Sequence, residues 1–157
     1  FEKIVVNTHA VEQIGFITQL ADHYGSQAII ASIDVKRNFL GKNTVRTHSG
    51  KKDTHVDPVV WAKELEQMGA GEILLTCIER EGTWNGFDLD LIQLVTSQVS
   101  VPVIAHGGAG SVEHIGEVVH QSGASAVALG SMVVFQKKGM GILVNFPDKG
   151  ELEAIFK

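Results

Sequence analysis

The chain has 157 residues, a net charge of −5 and no stripe of Lys or Arg, which predicts one domain with a buried core and excludes a nucleic-acid-binding surface. Cys77 is the single cysteine, so a disulfide framework and a cysteine-based zinc site within one chain are excluded, and a cytoplasmic protein is expected. No apolar run approaches the roughly 18 residues of a membrane span and no signal peptide is recognisable, so no membrane partner is expected.

The first part of the chain alternates short apolar runs with one helical pattern. Residues 1–7 contain three consecutive aliphatic side chains and predict a strand, and residues 8–10 predict a turn. Residues 11–24 carry apolar side chains at helical spacing, with Ile14 among them, which predicts an amphipathic helix. Residues 28–33 predict a second buried strand. This part of the chain is therefore typical of a strand–helix–strand unit.

A polar stretch, residues 38–56, interrupts the alternation. Its glycines and alternating Val and Thr predict a loop or hairpin excursion from a single domain that covers residues 1–157. Asp57 followed by Pro58 then predicts a helix start, because Asp caps free backbone N–H groups and proline suits the first helical position. Asp88 is likewise predicted to cap the helix that begins at residue 89.

The second half of the chain continues the alternation of strands and helices. Apolar runs predict strands at residues 71–78, 101–105 and 125–129. The first of these strands is expected to be covered on both faces. The segments that follow the strands predict helices at residues 89–98, 111–122 and 150–156. The whole chain then contains five βα units, which predicts an α/β fold with a parallel sheet and right-handed crossovers. Five strands suit an open doubly wound sheet but cannot alone close an eight-stranded barrel.

Polar side chains follow the predicted strands where each strand ends. Because the C-terminal ends of parallel strands meet at one edge, we expect one shared site there. Asp34 and Glu81 are candidates for acid and base roles, since two carboxylates facing each other can hold different protonation states. The alternatives are a salt bridge from Asp34 to Lys36 or Arg37, and a solvated loop in which Glu79, Arg80 and Glu81 pair with each other.

Two glycine turns follow the last two predicted strands. Residues 106–111, His-Gly-Gly-Ala-Gly-Ser, and the pair Gly130-Ser131 allow backbone N–H groups to approach an anion, which favours a phosphorylated small-molecule ligand. The alternative is that glycine only makes tight turns here. Neither turn has a dinucleotide or P-loop spacing, so no nucleotide cofactor is predicted. No metal site is predicted either, because His48 and His55 lack a third ligand at metal spacing.

Residues 72–83, Glu-Ile-Leu-Leu-Thr-Cys-Ile-Glu-Arg-Glu-Gly-Thr, and 104–110, Ile-Ala-His-Gly-Gly-Ala-Gly, resemble the cyclase subunit of imidazole glycerol phosphate synthase. The resemblance covers essentially the whole chain. It implies that the chain holds strands 4 to 8 of a TIM (β/α)₈ barrel, while strands 1 to 3 have no counterpart here. It also implies an incomplete barrel whose open edges favour self-association.

The resemblance further implies a site and a partner. The family takes ammonia from a glutaminase and closes an imidazole ring, using two aspartates of which one lies on the absent strand 1. The other lies in an Ile-Asp-Arg-Asp-Gly-Thr motif, where this chain has Glu81, and Asp34 and Lys36 match a catalytic Ile-Asp-x-Lys. The implied phosphate-binding residues are Asn7, Thr8, Gly82, Gly108, Gly130 and Ser131. Lys3 and Glu72 match an ammonia gate, with a structural ion pair as the alternative.

Residues 135–147 depart from the histidine-pathway enzyme and resemble a sister group, the glycosyl-amidation-associated proteins of surface-polysaccharide clusters. The leading expectation is therefore an ammonia-relaying barrel subunit that works with a glutaminase in amidating a polysaccharide sugar. One alternative is the histidine-pathway cyclase itself. Another is a non-catalytic phosphate-binding or assembly module.

Overall fold

The computed structural model describes residues 1–135 and 141–156, and within them it shows one sheet flanked by helices. The elements in chain order are β1 (Ile4–Val6), α1 (Thr8–Glu12), α2 (Phe16–Tyr24), β2 (Ile29–Arg37), β3 (Asn43–Thr47), β4 (Lys52–Asp53), α3 (Pro58–Gln67), β5 (Glu72–Cys77), α4 (Leu89–Thr96), β6 (Val103–His106), α5 (Val112–Ser122), β7 (Ala126–Ala128), α6 (Ser131–Val134) and α7 (Lys149–Ile155).

Five of the strands are parallel and lie in the order β1-β2-β5-β6-β7. The predicted α/β fold with a parallel sheet is therefore confirmed, and its strand order follows the chain as in a βα-barrel. The register places Asp34 of β2 beside Thr76 of β5, Thr76 beside His106 of β6, and His106 beside Ala128 of β7. One row of side chains thus crosses four strands near their C-terminal ends.

The hydrophobic core lies between the helices and one face of the sheet. Along β2 the side chains of Ile29, Ala31, Ile33 and Val35 are buried, and the residues between them are only partly buried. β5 shows the same alternation. The prediction that this strand is covered on both faces is wrong, because successive side chains point to opposite faces and the helices cover only one of them. The second face forms the open concave interior of the sheet.

The helix predicted over residues 11–24 is divided into α1 and α2. Gly15 has a φ of 86°, a left-handed conformation that ends one helix and begins the next. The rotation between the two helices leaves Ile14 exposed, although the spacing predicted it on the buried side, while Ile17 is fully buried. The predicted turn at residues 8–10 is also wrong, because these residues belong to α1.

The polar excursion is a hairpin. β3 pairs antiparallel with the C-terminal half of β2, and β4 pairs with β3, so β2 is longer than the apolar run that predicted it. Arg46 and Asp53 form an ion pair of 3.0 Å across β3 and β4. The hairpin therefore extends the sheet at the end where the polar residues collect.

The caps of α3 and α4 follow the sequence prediction. The Asp57 carboxylate accepts from the N–H groups of Val59 and Val60, and Asp88 accepts from Leu91. In the part of the chain that the structure describes, no helix has the length and hydropathy needed to cross a bilayer. The tail motif at residues 135–147 lies partly outside the described residues, because 136–140 are not among them.

Candidate functional site

The site lies on the concave face at the C-terminal end of the parallel strands, and we call this region the cup. Asp34, Thr76 and His106 stand side by side on neighbouring strands, and Lys36 follows Asp34 on the same face of β2. Period-two alternation places these polar side chains on the face opposite to the buried core. The cup therefore takes its side chains from three strands and from the loops that follow them.

Glu81 points from the loop after β5 to the turn that precedes α6. Its Oε1 accepts from the Ser131 hydroxyl at 2.8 Å and lies 3.4 Å from the Ser131 backbone N. Its Oε2 lies 3.6 Å from His106 Nε2. The carboxylate is thus held against the Ser131 turn, between the ends of β6 and β7, at the C-terminal end of the sheet.

His106 connects Glu81 to the middle of the sheet. Its Nδ1 lies 3.1 Å from the Thr76 hydroxyl, while its Nε2 faces Glu81. Thr76, His106, Glu81 and Ser131 therefore form a continuous chain of polar contacts across three neighbouring strand ends. About three quarters of the His106 side chain is buried, so the imidazole has little rotational freedom.

Asp34 lies deeper in the cup, and its environment changes its acidity. Burial raises the pKa of Asp34, while a hydrogen bond from Asn7 and the charge of His106 act in the opposite direction. Asn7 also donates to Ser32 Oγ at 3.2 Å, which joins β1 to β2. Asp34 makes no ion pair with Lys36 or Arg37 among the described residues, so the salt-bridge alternative is wrong.

Asn7 and Thr8 lie on the opposite side of the cup from Ser131. The Thr8 hydroxyl accepts from the backbone N–H of His48 at 3.0 Å, so the loop after β3 is held against the start of α1. His48 itself lies 3.4 Å from Glu12. The two groups of residues that the resemblance assigns to phosphates therefore occupy opposite sides of one concave face.

The assigned glycines have different surroundings. Gly82 and Gly130 lie beside Ser131 and Glu81: a Cβ added to Gly130 would be 2.7 Å from Glu81 Oε1. Gly108 is buried against the loop after β5, where its carbonyl accepts from the Gly86 N–H at 2.9 Å. Gly108 thus joins two loops, while the absence of a Cβ at Gly130 gives the space that the Glu81 carboxylate occupies beside Ser131.

The three charges that follow β5 do not pair with one another. Glu79 accepts from the Arg37 N–H at 3.3 Å, Arg80 reaches the Asn85 carbonyl, and Glu81 contacts Ser131. The alternative of a self-pairing solvated loop is therefore wrong. The three side chains diverge because the turn at the end of β5 directs each toward a different neighbouring segment.

Cys77 lies behind the cup and not inside it. Its thiol is buried on the helix-facing side of β5, 3.9 Å from Asp88 Oδ2. Burial, followed by the Asp88 charge, raises the pKa of Cys77. Within residues 1–135 and 141–156, no three His, Cys, Asp or Glu side chains are grouped closely enough to hold a metal ion.

Lys3 and Glu72 form an ion pair at the N-terminal end of the strands. Glu72 is the first residue of β5, and Lys3 directly precedes β1. Strand β2 lies between β1 and β5 and pairs with both. The pair thus lies on the concave side at the end of the sheet opposite to Asp34 and Glu81. The sequence placed both residues at strand starts, and the structure brings them together.

His106 and Thr76 were not assigned a role from the sequence. The period-two alternation along β5 places Thr76 on the same face as Glu72. This alternation identifies the face on which Thr76 lies, but it does not identify His106 as the residue that Thr76 contacts. The imidazole contact depends on the register of β5 against β6. The two residues can be grouped with Glu81 only after that register is known.

A parallel βα sheet whose strand order follows the chain, with polar side chains gathered at the C-terminal ends of its strands, is typical of βα-barrel proteins. The family model described as "Histidine biosynthesis protein" matches residues 1–138. The chain belongs to this family, whose fold is the TIM barrel.

Curated relatives carry related names. A Pseudomonas aeruginosa protein with the provisional name imidazole glycerol phosphate synthase subunit hisF2 is 40% identical over 152 residues, which are 97% of this chain and 61% of that protein. An imidazole glycerol phosphate synthase subunit HisF of Chlorobium luteolum is 42% identical over 87% of this chain and 54% of its own length. The HisF subunit of Sulfurisphaera tokodaii is 45% identical over 81% of this chain and 51% of its own length. The chain thus spans little more than half the length of these relatives.

Proposed function

We propose that this chain carries the C-terminal five βα units of an imidazole glycerol phosphate synthase cyclase subunit. In this proposal it contributes to closing an imidazole ring from a phosphorylated ribonucleotide precursor and ammonia. The observation that carries the proposal is the convergence of Asp34, Glu81 and the Ser131 turn on one cup, in a chain that belongs to the histidine biosynthesis family.

The carboxylates of the cup suit proton transfer during ring closure. Asp34 is partly desolvated, which holds its pKa above the usual value and allows it to carry a proton closer to neutral pH. Glu81 is held by Ser131 and His106 in a polar environment. Two carboxylates in unlike environments can divide the acid and base roles. Lys36, at the rim of the cup, would contribute a positive charge to a phosphorylated substrate.

Both sides of the cup suit anionic groups. Asn7 and Thr8 present amide and hydroxyl groups on one side. On the other side, beside Gly82 and Gly130, Ser131 presents a hydroxyl and a backbone N–H, which Glu81 accepts in this structure. A ligand with a phosphate at each end would span the concave face between them. Gly108 supports this arrangement by joining the loops after β5 and β6.

A glutaminase is the proposed source of ammonia. The Lys3–Glu72 ion pair lies at the end of the sheet opposite to the carboxylates, on the concave side. Ammonia entering there would pass along the concave face toward Asp34. In this proposal, the ion pair gates the entrance, and the glutaminase binds at the N-terminal ends of the strands.

The direct test is ring closure. The chain is supplied with ammonium and the ribonucleotide precursor, alone and together with the part of the Pseudomonas relative that it does not match, and product is followed by chromatography. We expect turnover in the combined sample, and Asp34→Asn and Glu81→Gln should each lower it by about 100-fold or more. Glu79→Gln is the matched control, because Glu79 contacts Arg37 and not the cup. Absence of turnover in every combination would overturn the cyclase proposal.

The ammonia-relay function in sugar amidation is a second candidate, supported by one observation. Glu81 replaces the aspartate that the resemblance implies, and its longer side chain reaches Ser131 instead of projecting freely into the cup. The names of the relatives favour the cyclase instead. Stable complex formation with a glutaminase without ring closure would favour the relay.

A further inference from the structure

The Glu81 carboxylate occupies space where the proposed function places a ligand phosphate. Two donor atoms of Ser131 converge on it, the hydroxyl at 2.8 Å and the backbone N at 3.4 Å, and His106 Nε2 lies 3.6 Å away. Carboxylate and phosphate oxygens accept hydrogen bonds from the same kinds of donor, and the negative charge of either group strengthens these bonds. A phosphate at this turn and the carboxylate in its present position therefore exclude each other.

We infer that His106 is a further ligand-binding residue of the cup, which holds Glu81 on the Ser131 turn in the free protein and donates to a ligand phosphate once Glu81 is displaced. This inference rests on the proposed function, which assigns a phosphorylated ligand to this turn. It adds a new residue, His106, and an internal competitor, Glu81. Phosphate binding then releases the Glu81 carboxylate into the cup, where the proposed chemistry needs it.

The contacts of the imidazole favour one of its two neutral tautomers. His106 Nε2 faces a carboxylate, so the arrangement with a proton on Nε2 is the favourable one. In the neutral ring Nδ1 then accepts from the Thr76 hydroxyl, which lies 3.1 Å away. Thr76 therefore keeps the donor nitrogen directed at the space beside Gly130, where a Cβ would lie 3.6 Å from Nε2.

Room for the exchange comes from the glycines. A Cβ at Gly130 would lie 2.7 Å from Glu81 Oε1, and a Cβ at Gly82 would lie 3.6 Å from Ser131 Oγ, so side chains at these two positions would crowd the turn. Glu81 is a partly exposed residue on a loop, so it can rotate toward the open concave face without disturbing the core. The donors Ser131 and His106 stay in place because each belongs to a regular element.

The experiment measures binding of ribose 5-phosphate to the chain by calorimetry, with ribose as the control for the sugar. Glu81→Ala should raise the affinity about tenfold, because the ligand no longer has to displace a bound carboxylate. Glu79→Gln, which removes a charge from the same loop without touching the turn, should leave the affinity unchanged. An affinity of Glu81→Ala equal to or below that of the unaltered chain would overturn the competition.

Variants made in the Glu81→Ala protein distinguish direct binding of the ligand by His106 from an indirect effect through Glu81. If the imidazole only restrains Glu81, His106→Ala has no effect once Glu81 is absent. We expect instead that the double variant binds ribose 5-phosphate about tenfold more weakly than Glu81→Ala alone, since a charge-assisted donor is lost. Thr76→Val in the same background should weaken binding to a smaller extent, because it frees the imidazole to rotate.

Failure of this inference and failure of the proposed function give different results. If Ser131→Ala weakens ribose 5-phosphate binding while Glu81→Ala does not strengthen it, the phosphate turn stands and the competition is wrong. If neither the unaltered chain nor any variant distinguishes ribose 5-phosphate from ribose, the phosphate site of the proposed function is wrong, and the inference fails with it. Circular dichroism of each variant checks that the sheet and helices are retained.

Discussion

The backbone N–H of Gly86 donates to the carbonyl oxygen of Gly108 at 2.9 Å, so the loop after β5 and the loop after β6 are joined. The first loop carries Glu81 and the second follows His106. This backbone hydrogen bond therefore fixes the two loops against each other near the contact between Glu81 and His106.

Gly108→Ala tests this junction. Gly108 has a φ of 110°, and an added Cβ would overlap the Gly86 carbonyl. We expect a loss of about 3 kcal/mol in the free energy of unfolding, measured by urea denaturation. Gly41→Ala is the matched control, because Gly41 has a φ of 76° with nothing within 4 Å of the added Cβ, and it should cost only about 1–2 kcal/mol. Equal losses for the two variants would show that the junction contributes nothing specific.

The raised pKa of Asp34 predicts a pH dependence of stability. Desolvation makes the folded protein hold the Asp34 proton to higher pH than the unfolded chain, whose reference value is 3.8. Ionisation of Asp34 therefore lowers stability as the pH rises from 3.8 through the higher folded value. The difference in unfolding free energy between Asp34→Asn and the unaltered chain should grow over this window in favour of Asn. A difference that does not change with pH would contradict the prediction, and Asp90→Asn, an exposed change on α4, is the control.

Cys77 should be unreactive in the folded protein. Burial and the Asp88 charge raise the pKa of the thiol, so little thiolate is present near neutral pH and access is blocked. We expect alkylation by iodoacetamide at pH 7.5 to be about 100-fold slower in the folded chain than in urea. Asp88→Asn should accelerate the reaction modestly, while the amide oxygen retains the cap of α4. Rapid alkylation of the folded chain would show that the thiol is accessible.

The concave face and the sheet edges predict self-association of the 157-residue chain. Val5 on the β1 edge is 55% exposed, and Ile142, Val144 and Phe146 beside α6 are more than half exposed. Open strand edges and apolar surface of this kind favour pairing. Sedimentation velocity should show dimers or larger species, reduced by Val5→Lys. Leu94→Lys, at an exposed position on α4, is the control. A stable monomer of the unaltered chain would contradict the prediction.

Much of the architecture was predictable because it is encoded locally. The five βα units and the capped helix starts at Asp57 and Asp88 follow from hydrophobic period and capping chemistry within short windows. The sequence did not decide whether residues 38–56 form a loop or a hairpin, because the pairing of β3 with β2 depends on side chains outside this segment. The break at Gly15 was missed, because glycine within an apolar helical pattern marks a break only when its φ is known.

The sequence by itself determined that Asp34, Glu81 and Ser131 lie at or just after the C-terminal ends of parallel strands, and so at the same end of the sheet. Only the tertiary structure decided that Glu81 contacts Ser131, 50 residues later, and that His106 lies between Glu81 and Thr76. The physical reason is that strand order and register bring these side chains to one place, whereas the rotation of each side chain depends on its neighbours from other strands. Local sequence patterns determine neither the register between strands nor the rotation of each side chain.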